Sequence, residues 1–450
     1  MSYPRIARRQ FLAGAGAAAF FSRFGLLKAL AQSAPAAQPG YKALVCIFLH
    51  GGNDGHNTII PASGAAFDAY KKARGALALP TADSTVLPIV NSDGTPYALN
   101  SGLAAIQPLW AQGKLAVIAN VGTLVQPVTR AQYLGNARPV PSNLFSHSDQ
   151  VQQIQSGIPS SSGGTGWGGR TADFLQALNG SATFPATCSI AGPALFCTGN
   201  LIQSAALLPG FNLDPAGMQL WPQAAANARM AGLQQVLQLD SGLALVQAAN
   251  ETRKDALALN AMLKGASADI TTPFPGTSLG MQLKQVASII NLRASTGMNR
   301  QIFFCSLGGF DTHSGQSWQQ FDLLCQVSQA LLAFYQATLD LGVADKVTSF
   351  TLSDFGRTLQ ASGSGCDHGW GNHHLILGDA VKGGTIYGTF PELTLGGPDD
   401  SGSRGALIPT TSMDQFAATL ATWLGVPAAH LPSVLANIGN FGNTNLGFLT

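Results

Sequence analysis

The chain has 450 residues, of which 46% are hydrophobic and only 10% charged, with 52 glycines. A disordered chain has the opposite balance, and a nucleic-acid binder carries basic runs that this sequence lacks. Globular chains average roughly 25% charge, so Ser, Thr, Asn, Gln and backbone must cover this surface, over a core large enough for one big α/β domain or two ordinary ones.

Residues 1–31 read as an address rather than a fold. Arg8-Arg9-Gln10-Phe11-Leu12 resembles the twin-arginine export motif, and an Ala/Gly-rich apolar run, Phe11 to Phe21, follows. Ala29-Leu30-Ala31 supplies small residues for cleavage. The run is shorter than the ~20 residues of a membrane span. The expected partner is therefore the twin-arginine machinery, and the expected location periplasmic or secreted, with no stable membrane span in the mature protein. That route exports folded proteins, which suits a metal loaded in the cytoplasm. All five basic residues of 1–31 (Arg5, Arg8, Arg9, Arg23, Lys28) go with the signal, so the 24 basic residues fall to 19 against 22 acidic, a net charge of −3. No basic patch for nucleic acid remains.

Residues 32–40 (QSAPAAQPG) form a linker, and 41–450 read as a single domain. Lys42–Leu49 is an apolar, β-branched run that predicts a buried central strand. Similar runs stand at Lys114–Val121, Gln301–Leu307, Lys346–Leu352 and His374–Leu377. Helical periodicity lies between them, over 321–339 with a stop at Gly342, and over 279–293. Ser412-Met413-Asp414-Gln415 is a capping box that opens a last helix through Leu424. This alternation predicts an α/β fold, a large and mostly parallel sheet with helices on both faces. An insertion at about 155–265 interrupts it: Gly/Ser/Pro-rich loops over 155–215, then a helical cap over 216–265.

The six cysteines meet an oxidising compartment after export. Cys188 and Cys197 are spaced to close a local disulfide, while Cys46, Cys305 and Cys325 lie in apolar segments and read as free thiols; Cys366, beside His368, fits either state. No CxxC occurs, which argues against a thiolate zinc site.

Chemistry concentrates on the eight histidines, of which all but His430 fall in four short polar clusters. His50-Gly51-Gly52-Asn53-Asp54-Gly55-His56-Asn57 follows the first strand. Ser146-His147-Ser148-Asp149 opens a helix, where a serine is a cap or a nucleophile beside N–H groups. Gly308-Gly309-Phe310-Asp311-Thr312-His313 places Asp311 and His313 two apart, on one face of an extended chain. Asp354 and Arg357 lie in SDFGR, ahead of Asp367-His368-Gly369-Trp370-Gly371-Asn372-His373-His374. Arg357 has the fork geometry to grip an anionic oxygen, and His374 begins an apolar run that suits a core position. Carboxylate with imidazole suits a divalent metal, first Zn, with Mn, Fe or Ca as alternatives, as one or two ions.

Together HGGNDGHNTIIP, SHSDQ, GWGGR, GGFDTH, SDFGRT and DHGWGNHHLILG, after the twin-arginine start, resemble the bacterial family catalogued as domain of unknown function 1501. That family is grouped with the alkaline phosphatase and sulfatase superfamily. The resemblance implies an alkaline-phosphatase-like sandwich and a metal site at strand ends, acting on an anionic phosphate or sulfate ester. It implies metal ligands at Asp54, Asp311, His313, Asp354 and His368, with Asp367 beside the last, and Ser146 as nucleophile. Arg357 or backbone N–H groups would stabilise the transferring group. Two departures stand out. Phe355 occupies the place of a ligand histidine, and the Asp311/His313 spacing is two rather than four. The expectation is a metal-dependent hydrolase or transferase. A non-catalytic exported binding or assembly protein that keeps the fold and one metal is the alternative, and a copper or iron redox protein a third.

Overall fold

The computed structural model describes residues 40–450 except 82–83, 161–162, 183, 211–217, 219 and 265. The expected signal, and the linker except Gly40, lie outside the described residues. The nine-stranded sheet contains β1 (Lys42–Leu49), β2 (Leu115–Gly122), β3 (Thr187–Ser189), β4 (Ala205–Ala206), β5 (Arg300–Leu307), β6 (Val347–Ser353), β7 (Asn372–Leu377), β8 (Ile386–Tyr387) and β9 (Thr411–Ser412). Their order is β8-β2-β7-β6-β1-β5-β3-β4, with β9 also paired to β2. Pairing is parallel except at β7, which runs antiparallel to both β2 and β6. All five strands expected from the apolar runs are present.

β1 lies at the centre because its residues tolerate burial on both faces: Ala43 to Leu49 are all buried. Since side chains alternate, that pattern requires cover above and below the sheet. The helices Ser278–Asn291 and Gln316–Asp340 pack together as one cover. Trp167–Leu175 and Met413–Leu424 belong to the other, where Phe350 meets the rings of Trp167 and Phe416. The Ser412 capping box forms as expected.

The Trp167–Leu175 helix was hidden inside a stretch expected to be loop. Gly168 and Gly169 break its apolar periodicity, and Gly169 is required together with Gly166 at the cap: a Cβ at either would strike the Leu195–Gly199 backbone. The expected disulfide is not formed. Cys188 and Cys197 are buried free thiols, and burial pushes the Cys197 thiol up to about 12.

The insertion does contain helices, Gln223–Gln238 and Ala244–Leu263. Met262 at their end faces Asn179, Ala182, Leu292 and Gly297, which precede β3 and β5. The pair therefore meets the body at the amino ends of the strands. Among the described residues no helix is long and apolar enough to cross a membrane.

Two smaller sheets finish the fold. Ile59–Pro61, Pro96–Asn100 and Val86–Val90 form one, and the hairpin Arg357–Ser362/Gly365–His368 the other. The hairpin register sets Arg357 opposite His368.

Candidate metal centre

The loops after β1, β5 and β6 converge beyond the carboxyl ends of these parallel neighbours, where ligands gather in such sheets. Gly51, at φ +112°, is the pivot. Its N–H donates to Asp354 Oδ1 at 3.1 Å, and a Cβ there would strike the Asp311 backbone. Glycine is needed for both the conformation and the approach.

Asp311 is the centre of the cluster. Its Oδ1 lies 3.0 Å from His313 Nε2, 3.4 Å from His368 Nε2 and 3.5 Å from His147 Nε2. His313 and His368 are themselves 3.1 Å apart at Nε2. Four ligands held tetrahedrally by bonds of ~2.0–2.1 Å would be roughly 3.3–3.4 Å from one another. Four of the six spacings such a set requires are those above, and they fall within a few tenths of an ångström of that value.

The second ring nitrogens fix the first. His368 Nδ1 is 2.7 Å from the carbonyl of Phe145, an acceptor only, so Nδ1 carries the proton and Nε2 presents its lone pair to the cluster. Phe145 itself holds φ +71°, a conformation that costs a non-glycine residue energy. His147 Nδ1 sits 2.7 Å from Asp354 Oδ2, and this hydrogen bond raises the pKa of the imidazole. His147 Nε2 is buried without a hydrogen-bond partner. A buried nitrogen of this kind, aimed at a carboxylate and backed by another, has the character of a metal ligand.

The ligand atoms of His147/Asp311/His368 and of His313/Asp367/His368 lie within 4.8 Å of one another, and those of Asp311/His313/His368 are as close. Asp311 is held below the usual carboxylate range: burial raises it, but the hydrogen bond and charge of Arg357 and the nearby His313 and His147 prevail. Burial lowers His368, which favours the neutral, ligating form.

The structure thus brings together Asp311, His313, His368 and Asp367. It adds His147, which the sequence reading passed over in favour of its serine neighbours. The signal was available: a histidine in the first turn of a helix, in a chain with only eight.

Other expected residues take different places. Asp54 is fully buried in an ion pair with Arg74 and accepts from the His56 N–H and from Gln316; burial raises its carboxyl, but Arg74, His56 and the Gln316 hydrogen bond together hold it below the usual range. It is in neither group with His147 or His313 and belongs to the layer beneath. Asp354 backs His147 and Gly51 rather than forming part of either group. Arg357 has no exposed side-chain surface: it donates to Asp311 Oδ1 at 2.8 Å, Gly51 O at 3.3 Å and Cys366 O at 2.7 Å. It positions Asp311 and is not free to grip a substrate oxygen. Ser146 Oγ donates to Asp149 Oδ2 at 2.6 Å. His373 and His374 are core residues. His373 Nδ1 accepts from the Asn120 N–H at 3.0 Å, so its proton is on Nε2 and it has no lone pair for an ion. His374 stacks on Phe416, and burial lowers it to about 3.

Fold and site together define a mixed α/β protein with a histidine–aspartate cluster where its parallel strands end. The chain belongs to the DUF1501 family, described as "Protein of unknown function", whose model matches residues 41–411. No curated protein matches the chain. Among solved structures it is similar to the lipoteichoic acid synthase LtaP from Listeria monocytogenes (9% identity, 95% of this chain, 80% of that one, TM-score 0.33). It is similar to the PsFucS1 sulfatase from Pseudoalteromonas sp. (8% identity, 92% and 73%, TM-score 0.37). A third is the soluble domain of lipooligosaccharide phosphoethanolamine transferase A from Neisseria meningitidis (8% identity, 90% and 95%, TM-score 0.34).

Proposed function

We propose that the protein is an exported, metal-dependent hydrolase or transferase of phosphate or sulfate esters. The observation that carries this reading is the set of imidazole nitrogens around Asp311 Oδ1, with His147 Nε2 buried and unpaired. His147, Asp311 and His368 would hold the ion, with His313 as fourth ligand. Histidine and carboxylate ligands suit zinc first. A divalent ion bound there supplies Lewis acidity for an anionic ester.

The chain's own groups supply the rest. Asp354 and the Phe145 carbonyl orient two of the imidazoles. Arg357 fixes Asp311. Arg404, half exposed and paired with Asp367 at 3.1 Å, is the guanidinium at the rim that an anionic substrate can reach. Ser146 remains the nucleophile of this reading, with Asp149 placed to take its proton. One ion is favoured over two because Arg74 already neutralises Asp54 and His147 occupies Asp354.

Turnover of a panel of phosphate and sulfate esters by the zinc-loaded protein tests the reading. Asp311→Ala and His147→Ala should abolish it, and Ser146→Ala should lower it about 100-fold or more. A non-catalytic binding protein is the second reading, favoured by Phe355 in the place of a ligand histidine. Equal, near-zero turnover in wild type and all three variants, each folded, would establish that second reading.

A further inference from the structure

A cavity of about 270 Å³ lies beside the cluster and is not used by the chemistry above. One wall is the helix His147–Ser156. His147 faces the ligand cluster at its start, and Val151 and Gln155, four and eight residues on, line the cavity on the same helix face. A second wall comes from the carboxyl ends of β1 and β5: His50 just past β1, and Phe304 and Ser306 on one face of β5. Ala194 and Leu195, beyond β3, form the third. His50 is close enough to Asp354 and His147 for both to act on its ring. The cavity therefore adjoins the cluster rather than standing apart from it.

Its chemistry differs from that of the cluster. The lining contains no Lys, Arg, Asp or Glu. Hydrogen bonding comes from the Gln152 amide, the Gln155 amide nitrogen, the His50 ring and the Ser306 hydroxyl, the Gln155 Oε1 being taken by the Phe196 N–H at 2.9 Å. Apolar contact comes from Val151, Leu195 and Phe304. An anionic group would find no lysine or arginine here, and a purely apolar one would make no use of the polar groups on the walls. A ring or short chain bearing several hydroxyls, with C–H surface between them, satisfies both sets of contacts. The volume is below the ~300–1,000 Å³ of drug-sized sites and fits a single such unit.

We infer that this cavity binds the neutral, polyhydroxylated alcohol portion of the ester, a monosaccharide or polyol, while the anionic portion lies at the cluster. This rests on the proposed ester chemistry, but the cavity can be tested apart from it. Saturation-transfer NMR with free glucose and with free glycerol requires no turnover. Wild-type protein should give transfer to glucose, glycerol or both, and the stronger of the two distinguishes a sugar from a polyol unit. Ala194→Trp, which fills the cavity, should weaken binding at least tenfold. Gln152→Ala, at an exposed position that leaves the fold intact, should weaken it severalfold. Zinc content, measured on the same samples, should not change in either variant. No transfer from glucose or glycerol to wild type, or equal transfer in wild type and both variants, would overturn the assignment. Absence of zinc from wild type would instead overturn the metal reading, leaving the cavity to be decided by the NMR result.

Discussion

At the scale of single residues, what distinguishes the site is how each imidazole is backed. His147 has Asp354 behind it and His368 the Phe145 carbonyl, so each offers Nε2. Loss of such a partner typically lowers metal affinity 10–100-fold. Asp354→Asn should do so in a zinc titration while the ion still binds. Asp54→Ala makes the contrast. Removing one member of a buried ion pair costs about 3–5 kcal/mol, so this variant should lose stability in denaturant melts with zinc affinity unchanged. Equal loss of zinc affinity in the two would place Asp54 in the metal site after all. The aspartate after the first strand was legible in the sequence, but its role was not. Nothing in the HGGNDGHN motif reveals that Arg74 folds beneath it. Ser146 and His147 posed the same difficulty: adjacent residues at a helix start point in different directions, and only the helix phase selects between them.

At the scale of elements, apolar strands flanked by breakers were easy to read because burial on both faces leaves a continuous run, as in Lys42–Leu49. The antiparallel direction of β7 was not readable, since pairing direction leaves no mark in a five- or six-residue run. The Trp167–Leu175 helix was missed because its close approach to Leu195–Gly199 demands the glycines that disguise it. The last helix gives a pH prediction. Asp414 is buried in its first turn with Oδ1 unpaired, and burial raises its carboxyl to about 7 against the bonds from Ser412 and backbone. The unfolded carboxyl titrates near ~4. Its folded pKa is the higher, so its contribution to stability is full below pH ~4 and is lost as pH rises towards 7. Asp414→Asn should therefore raise the melting temperature at pH 8 more than at pH 4. A shift that is the same at both pH values would contradict the raised carboxyl.

At the scale of the whole molecule, sheet topology makes the site. β1, β5 and β6 are parallel neighbours, so the loops that leave them must meet at one end, and residues scattered from Gly51 to His368 become one cluster. That much followed from the order of strands and polar islands. What the sequence could not decide was the division of labour. Two buried carboxylates are engaged with Arg74 and His147, and Arg357 is fully buried against Asp311. On the proposed reading, three histidines and Asp311 remain for a single ion. The most direct test is the metal content of protein purified from its native source, set beside His147→Ala and Asp311→Ala. The account predicts one transition-metal ion per wild-type chain and none in either variant. Wild type without a metal, two ions per chain, or an ion retained by both variants would contradict it.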